Sequence, residues 1–170
     1  QIKNLKTGEI LPDIINNATG SSVWANDNKT IFYTKKDTVT LRSDKVYKHE
    51  IGTNPLNDEL IFEEKDDTFD VFVYKEKSNK YIVIGSSSTL TNEYQILNAD
   101  TPNERFKIFQ PRVRGLEYSI SHFGSDFYIL TNKDKATNFK LMKTPETATA
   151  KENWLDVISH REDVLLEDIE

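Results

Sequence analysis

The sequence repeats one pattern three times at intervals of 45 to 50 residues. Each copy opens with an apolar hairpin: Ser22-Val23-Trp24-Ala25 turning into Ile31-Phe32-Tyr33-Thr34, Val71-Phe72-Val73-Tyr74 into Tyr81-Ile82-Val83-Ile84, and Tyr118-Ser119-Ile120-Ser121 into Phe127-Tyr128-Ile129-Leu130. The turns are polar: Asn26-Asp27-Asn28-Lys29, Glu76-Lys77-Ser78-Asn79 and Phe123-Gly124-Ser125-Asp126. A polar loop and an aromatic-centred strand follow each hairpin, at Val46-Tyr47-Lys48-His49, Glu93-Tyr94-Gln95-Ile96 and Asn138-Phe139-Lys140-Leu141. Tyr47, Tyr94 and Phe139 are 47 and 45 residues apart. A fourth strand completes each copy, at Leu60-Ile61-Phe62, Phe106-Lys107-Ile108-Phe109 and Trp154-Leu155-Asp156-Val157-Ile158.

Four short antiparallel strands at such a period are the mark of a β-propeller blade. A β-sandwich also shows many short strands, but it does not predict a strand-for-strand repeat. The second strand of each hairpin is almost wholly apolar, as a strand buried on both faces must be. No segment of a dozen residues keeps a helical period, so helix is expected to be nearly absent. The expected fold is all-β: a partial propeller of three complete blades plus two partial ones, a piece of a larger ring. Residues 1–20 read as outer strands of a preceding blade, 21–66, 67–113 and 114–163 as complete blades, and 164–170 as the inner strand of the next.

Composition excludes several functions. Of 170 residues, 46 are Ile, Leu, Val or Phe, above the roughly one-fifth below which chains fail to fold. No Cys means no disulfide, thiolate metal site or Cys nucleophile. With 22 Lys and Arg against 28 Asp and Glu, and no basic cluster, the chain is a poor match for nucleic acid. Its apolar runs are far shorter than the roughly 20 residues that span a bilayer. No signal peptide or initiator Met is present, so the chain reads as excised from something longer. A cytoplasmic setting is expected, with the periplasm left open. The triplets at Asn17 and Asn28 fit the glycosylation pattern, but without a secretory signal they are expected to be unused.

Several stretches go beyond the blade pattern. Gly8-Glu9-Ile10-Leu11-Pro12-Asp13 leads into Val23-Trp24-Ala25-Asn26-Asp27-Asn28-Lys29, and Thr40-Leu41-Arg42 precedes Val46-Tyr47-Lys48-His49 and Ile51-Gly52-Thr53. Glu63-Glu64-Lys65-Asp66-Asp67-Thr68, Pro111-Arg112, Glu117-Tyr118-Ser119-Ile120-Ser121-His122, Thr131-Asn132 and Asn138-Phe139 follow in order. Together they resemble the N-terminal propeller of the prolyl oligopeptidase family of serine peptidases, most like its oligopeptidase B (protease II) branch. The resemblance covers nearly the whole chain. It implies a seven-bladed propeller capping an α/β-hydrolase domain, restricting access to short peptides that are cleaved after Lys or Arg. The family's nucleophile sits in a Gly-x-Ser-x-Gly elbow, and this chain has none: Gly85-Ser86-Ser87-Ser88 lacks the closing Gly, and Gly124-Ser125-Asp126 is a hairpin turn. No catalytic residue carries over, and substrate-binding residues stay unassigned.

Other chemical candidates have plainer readings beside them. His49, His122 and His160 share no ligand-pair spacing, so local hydrogen bonds outrank a metal role. Glu63, Glu64, Asp66, Asp67 and Asp70 lack the alternation of a calcium loop and read as a solvated connection. Arg112 and Arg114 suit either a peptide carboxylate or partner domain, or an ion pair between blades. Trp24 and Trp154 read as blade packing. No metal or cofactor is expected. The expected partners are the parent's hydrolase domain, peptide substrates and, through open blade faces and edges at residues 2–11 and 164–169, a second copy of the chain. The alternative is a stand-alone propeller that serves as a protein-interaction scaffold.

Overall fold

The computed structural model describes residues 1–169 and contains three four-stranded antiparallel sheets, each in sequential order. The first comprises β1 (Ala18–Trp24), β2 (Thr30–Lys36), β3 (Ser43–Glu50) and β4 (Glu59–Glu63). The second comprises β5 (Asp70–Lys75), β6 (Tyr81–Ser87), β7 (Asn92–Asn98) and β8 (Lys107–Ile108). The third comprises β9 (Tyr118–Phe123), β10 (Asp126–Thr131), β11 (Lys140–Pro145) and β12 (Leu155–Ile158). Helix among the described residues is confined to three 3-10 turns of three residues each.

Packing follows the apolar alternation. Between the first and second sheets lie Phe32 and Val46 from one, and Val71, Val73, Ile82, Ile84 and Leu97 from the other. Between the second and third lie Val83, Tyr94 and Ile96 against Phe109, Tyr118, Ile120, Phe127, Ile129 and Trp154. β6 therefore feeds Ile82 and Ile84 to one core and Val83 to the other, which is why its sequence is apolar without a break. The first strands of neighbouring blades touch directly, with Ser21 Oγ donating to the Val73 carbonyl and accepting the Val73 amide, both at 2.8 Å.

The turns explain the register. In the first two hairpins the third residue of a four-residue loop adopts a left-handed conformation, at Asn28 (φ 57) and Asn79 (φ 60), which Asn tolerates better than other side chains. The third closes on Gly124-Ser125, with Phe123 paired to Asp126 and Gly124 at φ 65, as a two-residue hairpin requires.

Four local expectations change. Phe139 does not begin a strand: β11 starts at Lys140, and Phe139 sits at φ 58. Asn138 is occupied elsewhere, its side-chain amide donating to the carbonyls of Arg161 and Glu162 and its own carbonyl accepting the Leu166 amide. β8 is only two residues long because its flanking aromatics turn inward: Phe106 lies edge-on to Phe32 at 5.4 Å, and Phe109 lies edge-on to Phe127 at 4.9 Å. Residues 2–15 make one bridge, Lys3 to Ile10, rather than two strands. Residues 164–169 likewise make a single bridge, Arg161 to Val164, and Glu170 lies outside the described residues.

Candidate functional site

Charged chemistry gathers at the blade junctions. At the first junction, the segment leading into β9 carries Arg112, whose guanidinium sits 3.7 Å from the centre of the Phe69 ring and donates to Glu64 Oε2 at 2.5 Å. Glu93 accepts the Arg112 amide at 2.8 Å. Burial would raise the Glu64 carboxyl, but Arg112 together with the Asp66 amide and Ser86 holds the group below the usual carboxylate range. Arg42 reinforces the junction, donating to the carbonyls of Phe69, Asp66 and Glu64. Arg112 is thus an inter-blade ion pair. Arg114 is exposed, and with Asp66, Thr68 and Leu90 it lines an open groove of about 620 Å³. Of the acidic run, Glu64 is buried, Asp66 caps the Thr68 turn, and Asp67 and Asp70 face solvent.

At the second junction His122, on β9, is flanked by Ser78 Oγ at 2.9 Å from Nδ1 and by Glu146 Oε2 at 3.1 Å from Nε2. A Ser–His–Glu line beside a groove of about 540 Å³, lined in part by Ser78, Ser121, His122 and Phe123, has the outline of a hydrolytic relay. Its groups are committed to holding the blades together instead. Glu146 Oε2 also accepts Lys80 Nζ at 2.5 Å and Tyr81 OH at 3.1 Å. The Lys80 contact, opposed by burial, keeps the Glu146 carboxyl below its ordinary range. Tyr81 is pushed up to about 12, by burial first and then by Glu146. Ser78 Oγ accepts the Lys80 amide, and the Asn79 amide is spent on Glu76, so neither of these two amides is free to steady an oxyanion. Glu76 is the exception among these acids: burial raises its carboxyl more than the His122 amide and Tyr74 hydroxyl lower it, and its Oε1 has no partner.

The remaining histidines separate. His160 lies 3.4 Å from Thr137 Oγ1 near the surface. His49, on β3, is fully buried between Asp13 Oδ1, 3.0 Å from Nε2, and Asp58 Oδ1, 2.8 Å from Nδ1. Burial would raise Asp13, but the Gly52 amide and then the His49 ring hold it low. Tyr33, raised by burial and then by Asp58, donates to Asp58 Oδ2 at 2.7 Å. Among the described residues no group of three or more His, Asp or Glu has the arrangement of a metal site. Trp154 is buried against Phe109 and Tyr118, whereas Trp24 is 39% exposed on the open side of the first blade. Sequence reading missed Asp13, Asp58, Glu76 and Glu146, because each meets its histidine across a turn or a blade boundary.

Comparison with known proteins places these junctions in context. Residues 1–170 match the family model for the prolyl oligopeptidase N-terminal beta-propeller domain. The chain is 40% identical to dipeptidyl aminopeptidase BI of Pseudoxanthomonas mexicana, over 100% of this chain and 23% of that protein. It is 36% identical to protease 2 of Moraxella lacunata, over 99% of this chain and 24% of that protein. It therefore spans about a quarter of the length of these curated relatives. The solved structure of oligopeptidase B from Leishmania major superposes with a TM-score of 0.90 at 31% identity, covering 98% of this chain and 23% of that one.

Proposed function

This chain belongs to the prolyl oligopeptidase family as part of its N-terminal β-propeller domain, and from that premise we propose that it is the substrate-restricting part of a serine peptidase that cleaves short peptides after Lys or Arg. In full-length relatives this domain is paired with a catalytic hydrolase domain. The observation that carries the reading is the likeness to oligopeptidase B along almost the entire chain. The structure contributes a physical reason: blades joined by partly exposed ion pairs such as Arg112–Glu64 and Glu146–Lys80, and by the apolar cores between them, make a stiff wall, and a stiff wall can exclude a folded protein while admitting a peptide.

A second reading has its own support, since a 40% identical relative is named for release of dipeptides. The full-length protein decides between them when assayed on Arg-Arg fluorogenic substrates with free and with blocked N-termini. Turnover of the blocked substrate, abolished by a serine-directed phosphonate, supports endopeptidase action after basic residues. Turnover of the free substrate alone supports the dipeptidyl reading. No inhibitor-sensitive turnover of either overturns both and returns the chain to an interaction scaffold.

A further inference from the structure

Two of the three blades tie down the segment leading into their first strand with the same device. Before β9, buried Gln110 accepts the Lys151 amide at 2.6 Å, in the connection between β11 and β12. Before β1, buried Asp13 accepts the Gly52 amide at 2.6 Å, in the connection between β3 and β4. The two ties differ in their protons. Gln110 has hydrogens of its own and donates one to the Pro111 carbonyl at 2.8 Å. Asp13 has none to give, and meets the ring of His49 instead.

The proton count at His49 is restrictive. Each ring nitrogen faces a carboxylate oxygen, at 3.0 and 2.8 Å, and a carboxylate can only accept. A neutral imidazole has one N–H, so both contacts are made only by the doubly protonated ring. Side-chain exposures of 0% for His49, 1% for Asp13 and 3% for Asp58 leave no water to replace a lost hydrogen bond. The other groups facing this cluster cannot supply the missing proton without breaking bonds of their own. Tyr33 donates to Asp58, the Gly52 amide donates to Asp13, and Lys35 Nζ lies over the Tyr47 ring at 4.5 Å. Across β2, His49 is paired with uncharged Ile31.

We propose that Asp13, His49 and Asp58 form a proton-operated latch that fastens residues 11–16 onto the first blade and releases them when His49 gives up its second ring proton. With one ring nitrogen bare, a lone pair confronts a buried carboxylate, and the least costly relief is for Asp13 to swing out with its segment. That segment borders a groove lined by Ile15, Trp24, Ile31 and Tyr33 together with Ile2 and Leu5, so release opens that groove. The Gln110 tie, being neutral, has no such dependence and serves as an internal control.

Hydrogen exchange on the full-length protein from about pH 6 to about pH 10, corrected for the intrinsic rate, tests the latch. Peptides covering residues 9–17 should lose protection by about tenfold or more as pH rises, while peptides covering 106–117 hold theirs. Asp58→Asn should flatten the response, because its carbonyl oxygen still accepts from Tyr33 while its amide donates to Nδ1 of a neutral His49, whose one N–H stays on Asp13. Nitrogen NMR of the labelled histidines should show two ring N–H groups on His49 in the protected state. A flat wild-type profile, equal loss in both segments, an Asp58→Asn variant that keeps the pH response, or one ring N–H on a fully protected His49 would each overturn the proposal.

Discussion

Substituting alanine for Gly85 tests how closely the second blade is packed. Gly85 lies on β6 between Phe72 on β5 and Tyr94 on β7. A Cβ there would stand 2.3 Å from Cζ of Phe72, 2.5 Å from Cε2 and 2.9 Å from Cε1, where ordinary contact begins near 3.4 Å. The ring must retreat by about 1 Å, and it is hemmed in by Tyr74 and Tyr94, with ring centroids 6.1 and 6.2 Å away. Overpacking of this kind costs about 1–3 kcal/mol. Opposing it, replacing glycine in extended backbone restricts the unfolded chain and stabilises by about 0.4–1 kcal/mol. The expected balance is a loss of about 1–2 kcal/mol, read by urea unfolding as a lower midpoint with an unchanged slope. Phe72→Leu removes the far end of the ring, so in that background the alanine should be neutral or stabilising. Additive effects in this double-mutant cycle, or a stabilising Gly85→Ala in the presence of Phe72, would refute the steric account.

Glu76→Gln should stabilise the protein at neutral pH. Burial raises the Glu76 carboxyl, so the folded state holds that proton more tightly than the unfolded state, and stability falls as pH climbs above the ordinary carboxylate range. Each tenfold displacement of that proton costs about 1.4 kcal/mol; the glutamine variant should match wild type near pH 4 and exceed it at pH 7, and equal stability at both pH values refutes the reasoning. Arg112→Met leaves Glu64 buried without its cation and should cost about 1–3 kcal/mol at neutral pH, discounted for the partial exposure of Arg112. Because Glu64 is held low, the wild-type advantage should disappear as pH falls through the carboxylate range; a deficit that persists in acid would place the cost in packing on Phe69 instead. The 170-residue chain by itself should self-associate through its open faces, where Phe123 and Leu155 are 76% and 63% exposed, and salt should strengthen the contact against the net charge of −6. A single 19.7 kDa species in sedimentation velocity up to high micromolar concentration would count against it.

What the sequence discloses and what it hides divide along physical lines. Tyr81-Ile82-Val83-Ile84 announces a strand buried on both faces because packing between two neighbours demands apolar residues at every position, and Ile82 and Val83 do fill opposite cores. The hairpin turns are legible because few residues tolerate left-handed backbone, and the Asn and Gly found there are among them. Phe139 misleads for a related reason. An aromatic beside alternating polar residues looks like a strand, yet the backbone is bent by what Asn138 must bind, and that demand comes from residues more than twenty positions away.

The polar ties are hidden because they lie in connections, where strand period carries no information. Glu146 is 24 residues from His122, and Asp13 is 36 from His49, so neither pair has a recognisable spacing. The equivalence of the Asp13 and Gln110 ties is one of place, not of number, since Asp13 precedes its inner strand by five residues and Gln110 by eight. Each accepts an amide from the connection between the third and fourth strands of the blade it enters. The need is common to both: a segment crossing from one blade to the next brings buried polar groups with it, and those groups must be paired. Glutamine meets that need with its own hydrogens. Aspartate meets it only by recruiting a histidine and a second carboxylate, which makes the first blade's tie sensitive to a proton and the third blade's indifferent to it.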